Sequence, residues 1–372
     1  MLRSLLNTLR LTIKELRALR GDKVMIVLIV YIFSLAVWMV SMAASTEVND
    51  LSVAVVDEDH SPLSARLIDS IQEPLFAPPA LIPPETAEQA QIDGDYVIVV
   101  SIPPNFEHDL RAGHTTTLLL SVDATAVAFA GTGATYMTYL LSQAITDYLQ
   151  PGTADSSLVD VVFRNRFNPN LRAAWFSSVM QLMNNVTILM LILSGSSMIR
   201  EREHGTIEHV LVMPVRPHEI VLSKILAMGL VILISSVASL ILVVQGAMGV
   251  PVAGSLGLYV FGTAIYVVAI GSLGLMLASF THNMGQFGLL VLPVIVILLL
   301  LSGGLTPLES MPDWLRYVML WINPSAHFAS FAQSVLYRGS GLALVYPELL
   351  AIAAMALVSL TMVLSRFRKI LS

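Results

Sequence analysis

Six apolar runs divide the chain, at about 24–44, 174–199, 221–248, 257–280, 286–302 and 345–365. About 20 apolar residues cross the hydrocarbon core of a bilayer as a helix, so each run predicts a transmembrane span. The fifth is the shortest and runs into Gly303-Gly304, which argues against a simple crossing. Residues 1–22 keep a different rhythm. Leu2, Leu6, Leu9, Ile13 and Leu16 recur in steps of four and three, with Arg3, Arg10, Lys14 and Arg17 on a neighbouring face. That pattern predicts an amphipathic helix lying in a membrane interface, cations toward anionic headgroups. It is too charged to be the apolar region of a signal peptide.

Between the first and second runs, residues 45–172 alternate strand and helix patterns. "LSVAVVD" (51–57), "DYVIVVSI" (95–102) and "TTTLLLSVD" (115–123) predict strands. "SPLSARLIDSIQ" (61–72), "PPNFEHDLRAG" (103–113) and residues 126–149 predict helices, and 74–84 a Pro-rich loop. The segment is long enough for a core of its own and predicts an α/β domain with a small sheet. A second irregular region, 303–344, is broken by Pro307, Pro312 and Pro324. Trp314, Tyr317 and Trp321 recur on one helical face there. Trp and Tyr favour the headgroup level, so with Gly303 and Gly304 this segment predicts a broken re-entrant or interfacial helix pair, 312–322 and 325–337.

Composition supports a lipid solvent. The 372 residues are 55% hydrophobic, with a mean hydropathy of +0.76 and 12% charged residues, about half the charge of soluble domains. With no cysteine, a disulfide framework and Cys-ligated metal sites are excluded. Basic residues sort by side. Six lie at Arg3–Lys23, four at Arg200, Arg202, Arg216 and Lys224, and three at Arg366, Arg368 and Lys369. With six spans, all of these fall on one face, and the positive-inside rule makes that face cytoplasmic, with both termini. Residues 45–172 hold 17 Asp and Glu against five Arg and no Lys, so the α/β domain is expected on the periplasmic side. The expected fold is a helical membrane protein, six spans with an α/β periplasmic domain between the first and second.

Candidate chemistry is sparse. No phosphate loop of the G-x-x-x-x-G-K-[ST] form occurs, so the chain is not expected to hold ATP in that manner. The span cores are read as free of Asp, Glu, Lys and Arg, which argues against a carrier driven by an ion gradient. Gln181, Asn184 and Asn185 share one face of the second span, either touching a passing substrate or bonding between helices. "DEDH" (57–60) reads as a turn at a strand end rather than a metal site. His204 and His209, five apart, suit neither helical spacing for ligation. No catalytic constellation, metal site or nucleic-acid partner is expected. A receptor or scaffold sensing a periplasmic ligand would need a cytoplasmic output domain, and the longest internal loop on that side is about 20 residues.

The polar stretch 200–218 between the second and third runs holds more pattern than a solvated loop. Gly205 interrupts the helix descending from the span, and Thr206 is suited to cap a new one. Ile207, Val210 and Leu211 form an apolar stripe, and Pro214 and Pro217 close it. Glu201, Arg202, Glu203 and Glu208 rim that stripe, as on a docking element that also takes in His204.

"EREHGTIEHVLVMPV" (201–215) resembles the cytoplasmic motif of type-2 ATP-binding-cassette (ABC) exporter permeases. "LSGGLTPLESMPDWLRYVMLWINPSAHF" (301–328) is similar to that family's segment after the fifth span. "VAVVDEDHSPLSARLIDSI" and "IPPNFEHDLRAG" look like the ectodomain of its bacterial inner-membrane subgroup. The resemblance covers nearly the whole chain. It implies a permease subunit in which residues 201–214 couple to a separate ATPase carrying ATP and Mg. It further implies a second permease chain, a path lined by the second and fifth spans, and in many members a periplasmic adaptor and outer-membrane channel. Drug-like or amphiphilic molecules are the expected cargo.

Overall fold

The computed structural model describes residues 2–43, 51–73, 75–123, 127–149, 173–203, 216–304, 306 and 308–371. They divide into two units, Met1–Ser45 with Arg172–Ser372, and Thr46–Leu171.

The chain enters through helix α1, Leu2–Gly21. Its protein-facing side is small and polar: Thr8, Thr12 and Glu15 are buried together with Leu19. The leucine stripe points outward, with Leu5, Leu6, Leu9 and Ile13 exposed. This is the arrangement of a helix whose apolar side meets something other than its own chain. Asp22 ends α1 and caps helix α2, Lys23–Ala43, by accepting from the Met25 amide. Inside α2, residues Ile32–Ala36 widen into a π-turn.

The second unit is a four-stranded sheet with order β2-β1-β3-β4. It runs β1 (Val53–Asp57), α3 (Pro62–Ser70), β2 (Ala80–Leu81), α4 (Pro84–Ile92), β3 (Ile98–Ile102), α5 (Phe106–Arg111), β4 (Leu119–Val122) and α6 (Val127–Leu149). β1 pairs in parallel with β2 and β3, and β4 closes the edge antiparallel to β3. The core lies on one sheet face, where Val53, Val55, Ile98 and Val100 meet Leu63 and Leu67 of α3 and Met137 and Leu141 of α6. The opposite face is thinly covered by α4, which buries none of its own residues. β2 and α4 arise within and just after the stretch read as a Pro-rich loop. A helix that buries nothing leaves no apolar period to read; its only sequence signal is Pro84 and Glu85 in the first turn. The turn reading of 57–60 matches the structure: Asp57 accepts from the amides of Asp59 and His60 and from the Ser64 hydroxyl.

The first unit resumes with α7 (Ala173–Glu203), α8 (Pro217–Ala247), α9 (Leu256–Ala278), α10 (Met284–Leu300), α11 (Asp313–Ile322), α12 (Pro324–Leu336) and α13 (Leu342–Leu371). Among the described residues, five helices are long and apolar enough to span: α2, α7, α8, α9 and α13. α10 has 17 residues and extends about 26 Å against a hydrocarbon core of about 30 Å. Helices pack where small residues let backbones close in. A Cβ at Gly274 of α9 would meet the Ser194 hydroxyl and the Leu191 carbonyl of α7, and one at Gly262 would strike the Phe331 ring of α12. Tyr266, midway along α9, bonds Thr187 of α7 at 2.6 Å and Ser325 of α12 at 2.8 Å.

Two ionisable residues correct the reading of charge-free span cores. Lys224 is buried in α8, and Glu348 sits two turns into α13. Each is matched by partners from other elements, which the run it interrupts does not reveal.

Candidate functional site

The sequence pattern puts the candidate coupling element at 201–214. Of its named residues, Glu201, Arg202 and Glu203 are described; His204, Gly205, Thr206, Ile207, Glu208, Val210, Leu211 and Pro214 lie outside the described residues. The described segments on either side of it, the end of α7 and the start of α8, are held by α1 and by the α9–α10 turn.

Lys224 is the centre of this arrangement. Its Nζ lies 2.9 Å from Glu201 Oε2 and 3.2 Å from Glu15 Oε1, and donates to the Ser197 carbonyl at 3.3 Å. Lys14 donates to Glu201 Oε1 at 2.9 Å. Two lysines and two glutamates thus form a neutral cluster across α1, α7 and α8. Burial disfavours the Lys14 ammonium, but its bond to Glu201 and the fields of Glu201 and Glu15 outweigh this and raise it above the usual lysine range. A buried cation with matched anions holds three helices in one register, because moving any of them strands a charge. Beside the cluster lies a cavity of about 410 Å³, lined by Glu15, Asp22, Arg200 and Glu201 among others. Further along α1, Asn7 donates to Glu219 at 3.3 Å, and Ser4 meets His218 at 3.2 Å.

Arg202 and Glu203 are also engaged within the chain. Arg202 donates to the Thr281 carbonyl at 2.7 Å, and Glu203 accepts from the Met284 amide at 2.9 Å, at the open N-terminus of α10. The described charges read as a rim for an external partner are therefore spent on α1, α8 and the α9–α10 turn. Glu15 and Lys224 are absent from the sequence-based site. Their signals were present: Glu15 is the lone acid among the first 21 residues, and Lys224 is one of four lysines, set inside an apolar run.

The three amides of α7 separate. Gln181 donates to Asn185 at 2.9 Å, and Asn185 donates to the Ile32 carbonyl at 2.8 Å. Ile32 opens the π-turn of α2, so Asn185 ties α7 to the irregular turn of the first span. Asn185 is buried, while Asn184 is half-buried. In the 303–344 region, Gly303 takes a positive φ of 83° against Leu308, a conformation natural to glycine. Gly304 packs on Met180. Pro312 precedes α11, Pro324 opens α12, and Trp314 is exposed on the same face as Tyr317 and Trp321. Pro307 lies outside the described residues. Asn323 joins the two helices and donates to the Leu298 and Leu301 carbonyls at 3.2 and 3.1 Å, capping the end of α10.

Long apolar helices packed through small residues, with charge gathered at one set of helix ends, define a multi-pass membrane protein. Residues 24–365 match the ABC-2 family transporter protein family. The chain is 42% identical over 369 residues to the inner membrane transport permease YhhJ of Escherichia coli (strain K12), covering 99% of this chain and 98% of that protein. It is 28% identical over 339 residues to the probable multidrug ABC transporter permease YbhR of the same organism, covering 90% and 91%. The chain belongs to the ABC-2 transporter family and is a bacterial inner-membrane transport permease.

Proposed function

We propose that this chain is the membrane half of an ATP-driven exporter, pairing with a second permease chain and docking a separate ATPase through residues 204–215. The observation that carries the reading is the way the loop is rooted. Both ends of a twelve-residue segment are fixed by buried ion pairs and backbone bonds to α1, α8 and α10, so a push on the loop reaches several helices at once. ATP and Mg would sit on the partner, consistent with the missing phosphate loop. Closure of the ATPase would then favour one of two arrangements of the spans. The roots and both termini face the cytoplasm in this reading, residues 45–172 face the periplasm, and α11–α12 re-enter the membrane from that side. Drug-like or amphiphilic molecules are the cargo, suggested by the apolar spans and by the name of the YbhR relative. An adaptor and outer-membrane channel would meet the α/β unit.

Because Glu203 holds the start of α10, reversing its charge would disturb the chain itself. The informative variants are Ile207→Asp, Glu208→Lys and Leu211→Asp. The permease is purified from native membranes in mild detergent and assayed for a co-purifying ATPase and for ATP hydrolysis. Loss of both in these variants, at unchanged membrane insertion, is expected. Retention of the ATPase in all three would place the docking surface elsewhere.

A further inference from the structure

A cavity of about 720 Å³ opens in the membrane unit between α9, the bend joining α11 to α12, and α13. Its walls are made by Leu273 and Met276 of α9, Leu320 and Ile322 of α11, and Met355 and Val358 of α13. α9 and α13 are both among the helices long and apolar enough to span. Of its lining residues, Val358, Met362 and Trp321 are exposed; with α9 and α13 read as spans, this opening faces hydrocarbon along α13 and the headgroup boundary at Trp321.

Apart from the Trp321 indole at the mouth, two lining side chains are polar, His327 and Ser359, and both are occupied. The His327 Nε2–H donates to the Leu320 carbonyl at 2.8 Å; a carbonyl only accepts, so that nitrogen carries a proton. Nδ1 faces Glu348 Oε2 at 2.5 Å, and the Ser330 hydroxyl donates to Glu348 Oε1 at 3.1 Å. Ser359 donates its one hydroxyl proton to the Met355 carbonyl at 2.9 Å, and its oxygen lies 3.1 Å from the Ser272 hydroxyl. The interior side chains therefore offer a ligand no free donor, and among them the Ser359 oxygen is the acceptor with capacity left. Water needs about two to four partners and would lack them there. A solute with several polar groups would bury most of them unmatched. A hydrocarbon chain loses nothing by entering, and gains dispersion contacts with leucine and methionine that an empty slot forgoes.

We propose that this cavity holds an acyl chain of a bilayer phospholipid. The chain packs on the α11–α12 bend, where Asn323 caps α10, so the lipid supports the segment that fixes the end of that helix.

The test uses the full-length chain in vesicles of phosphatidylethanolamine and phosphatidylglycerol, doped with phosphatidylcholine carrying a diazirine near the end of one acyl chain. After irradiation, labelled peptides are mapped by mass spectrometry. Labelling at Leu273, Met276 and Met355 is compared with that at Leu230 and Ile234, which are exposed on α8 away from the cavity. Several-fold enrichment at the cavity positions is expected. Ala351→Phe and Ala354→Phe, each placing a ring in the slot, are expected to abolish the enrichment and leave Leu230 and Ile234 unchanged. Equal labelling of cavity and control positions in the unaltered chain would overturn the proposal without reference to any variant. So would enrichment that survives both substitutions in protein of unchanged elution and melting, since it would then report only lipid around the outside of the helices.

Discussion

Lys224 shows how much one side chain decides here. It is 2% exposed and faces two glutamates. Removing a buried partner leaves the opposite charges uncompensated and costs about 3–5 kcal/mol. Lys224→Met is therefore expected to lower thermal stability strongly in detergent. Lys14, whose side chain is half exposed, is expected to cost no more than about 1 kcal/mol on the same change. Parallel melting of the two variants checks the contrast; equal losses would contradict the assignment of Lys224 as the centre. In the α/β unit, Glu107 is the comparable residue. Burial alone would raise it, but bonds from the Tyr148 hydroxyl and the Leu63 amide, with Arg111 beside it at 2.8 Å, hold it below the usual carboxylate range. A depressed folded value means stability that is present above the ordinary value, about 4.3, and lost as pH falls through the folded one. Glu107→Gln is expected to flatten the acid limb of stability, read as amide protection of β1 and β3 at falling pH. An unchanged limb would show that other groups set it.

Elements carry the next level of consequence. The π-turn of α2 and the Gln181–Asn185 pair of α7 are linked: Gln181 donates to Asn185, and Asn185 donates to the carbonyl of Ile32, where the π-turn begins. Asn185→Leu is expected to destabilise the α2–α7 contact by about 0.6–2 kcal/mol, the range of interhelical hydrogen bonds in membranes. A double-mutant cycle with Gln181→Leu should show coupling between the two positions. Coupling near zero, with transport lost instead, would return these amides to the substrate path. The three main strands and α12 were legible in the sequence because apolar spacing follows burial, and α1 and α11 because their exposed apolar and aromatic stripes keep helical spacing. α4 and β2 were not, since neither buries enough to leave a pattern. The outward stripe of α1 was visible too. Its docking side, Thr8, Thr12 and Glu15, was not, because those residues look like an ordinary solvated face until Lys224 and α8 are in view.

At the scale of the molecule, the open question with the largest reach is orientation, and the chain is well suited to it. With no cysteine in the sequence, single cysteines can be introduced and labelled from one side at a time. A thiol at Asp69 is expected to react with a membrane-impermeant reagent applied to spheroplasts. One at His282 is expected to react only after the membrane is opened. The reverse pattern would invert the topology and remove 204–215 from reach of a cytoplasmic ATPase. Local order along the chain was enough to announce a membrane protein, an α/β insertion and a polar docking stretch resembling that of ABC-2 permeases, since hydropathy, strand alternation and turn residues are properties of neighbours. Which charges of the polar stretch are free to meet a partner and which serve the fold was a question for three dimensions. Glu201 meets Lys14 and Lys224, Arg202 meets Thr281 and Glu203 meets Met284 only when distant segments are brought together. A charge buried in an apolar medium takes its meaning from the partner that neutralises it, and sequence distance says nothing about where that partner lies.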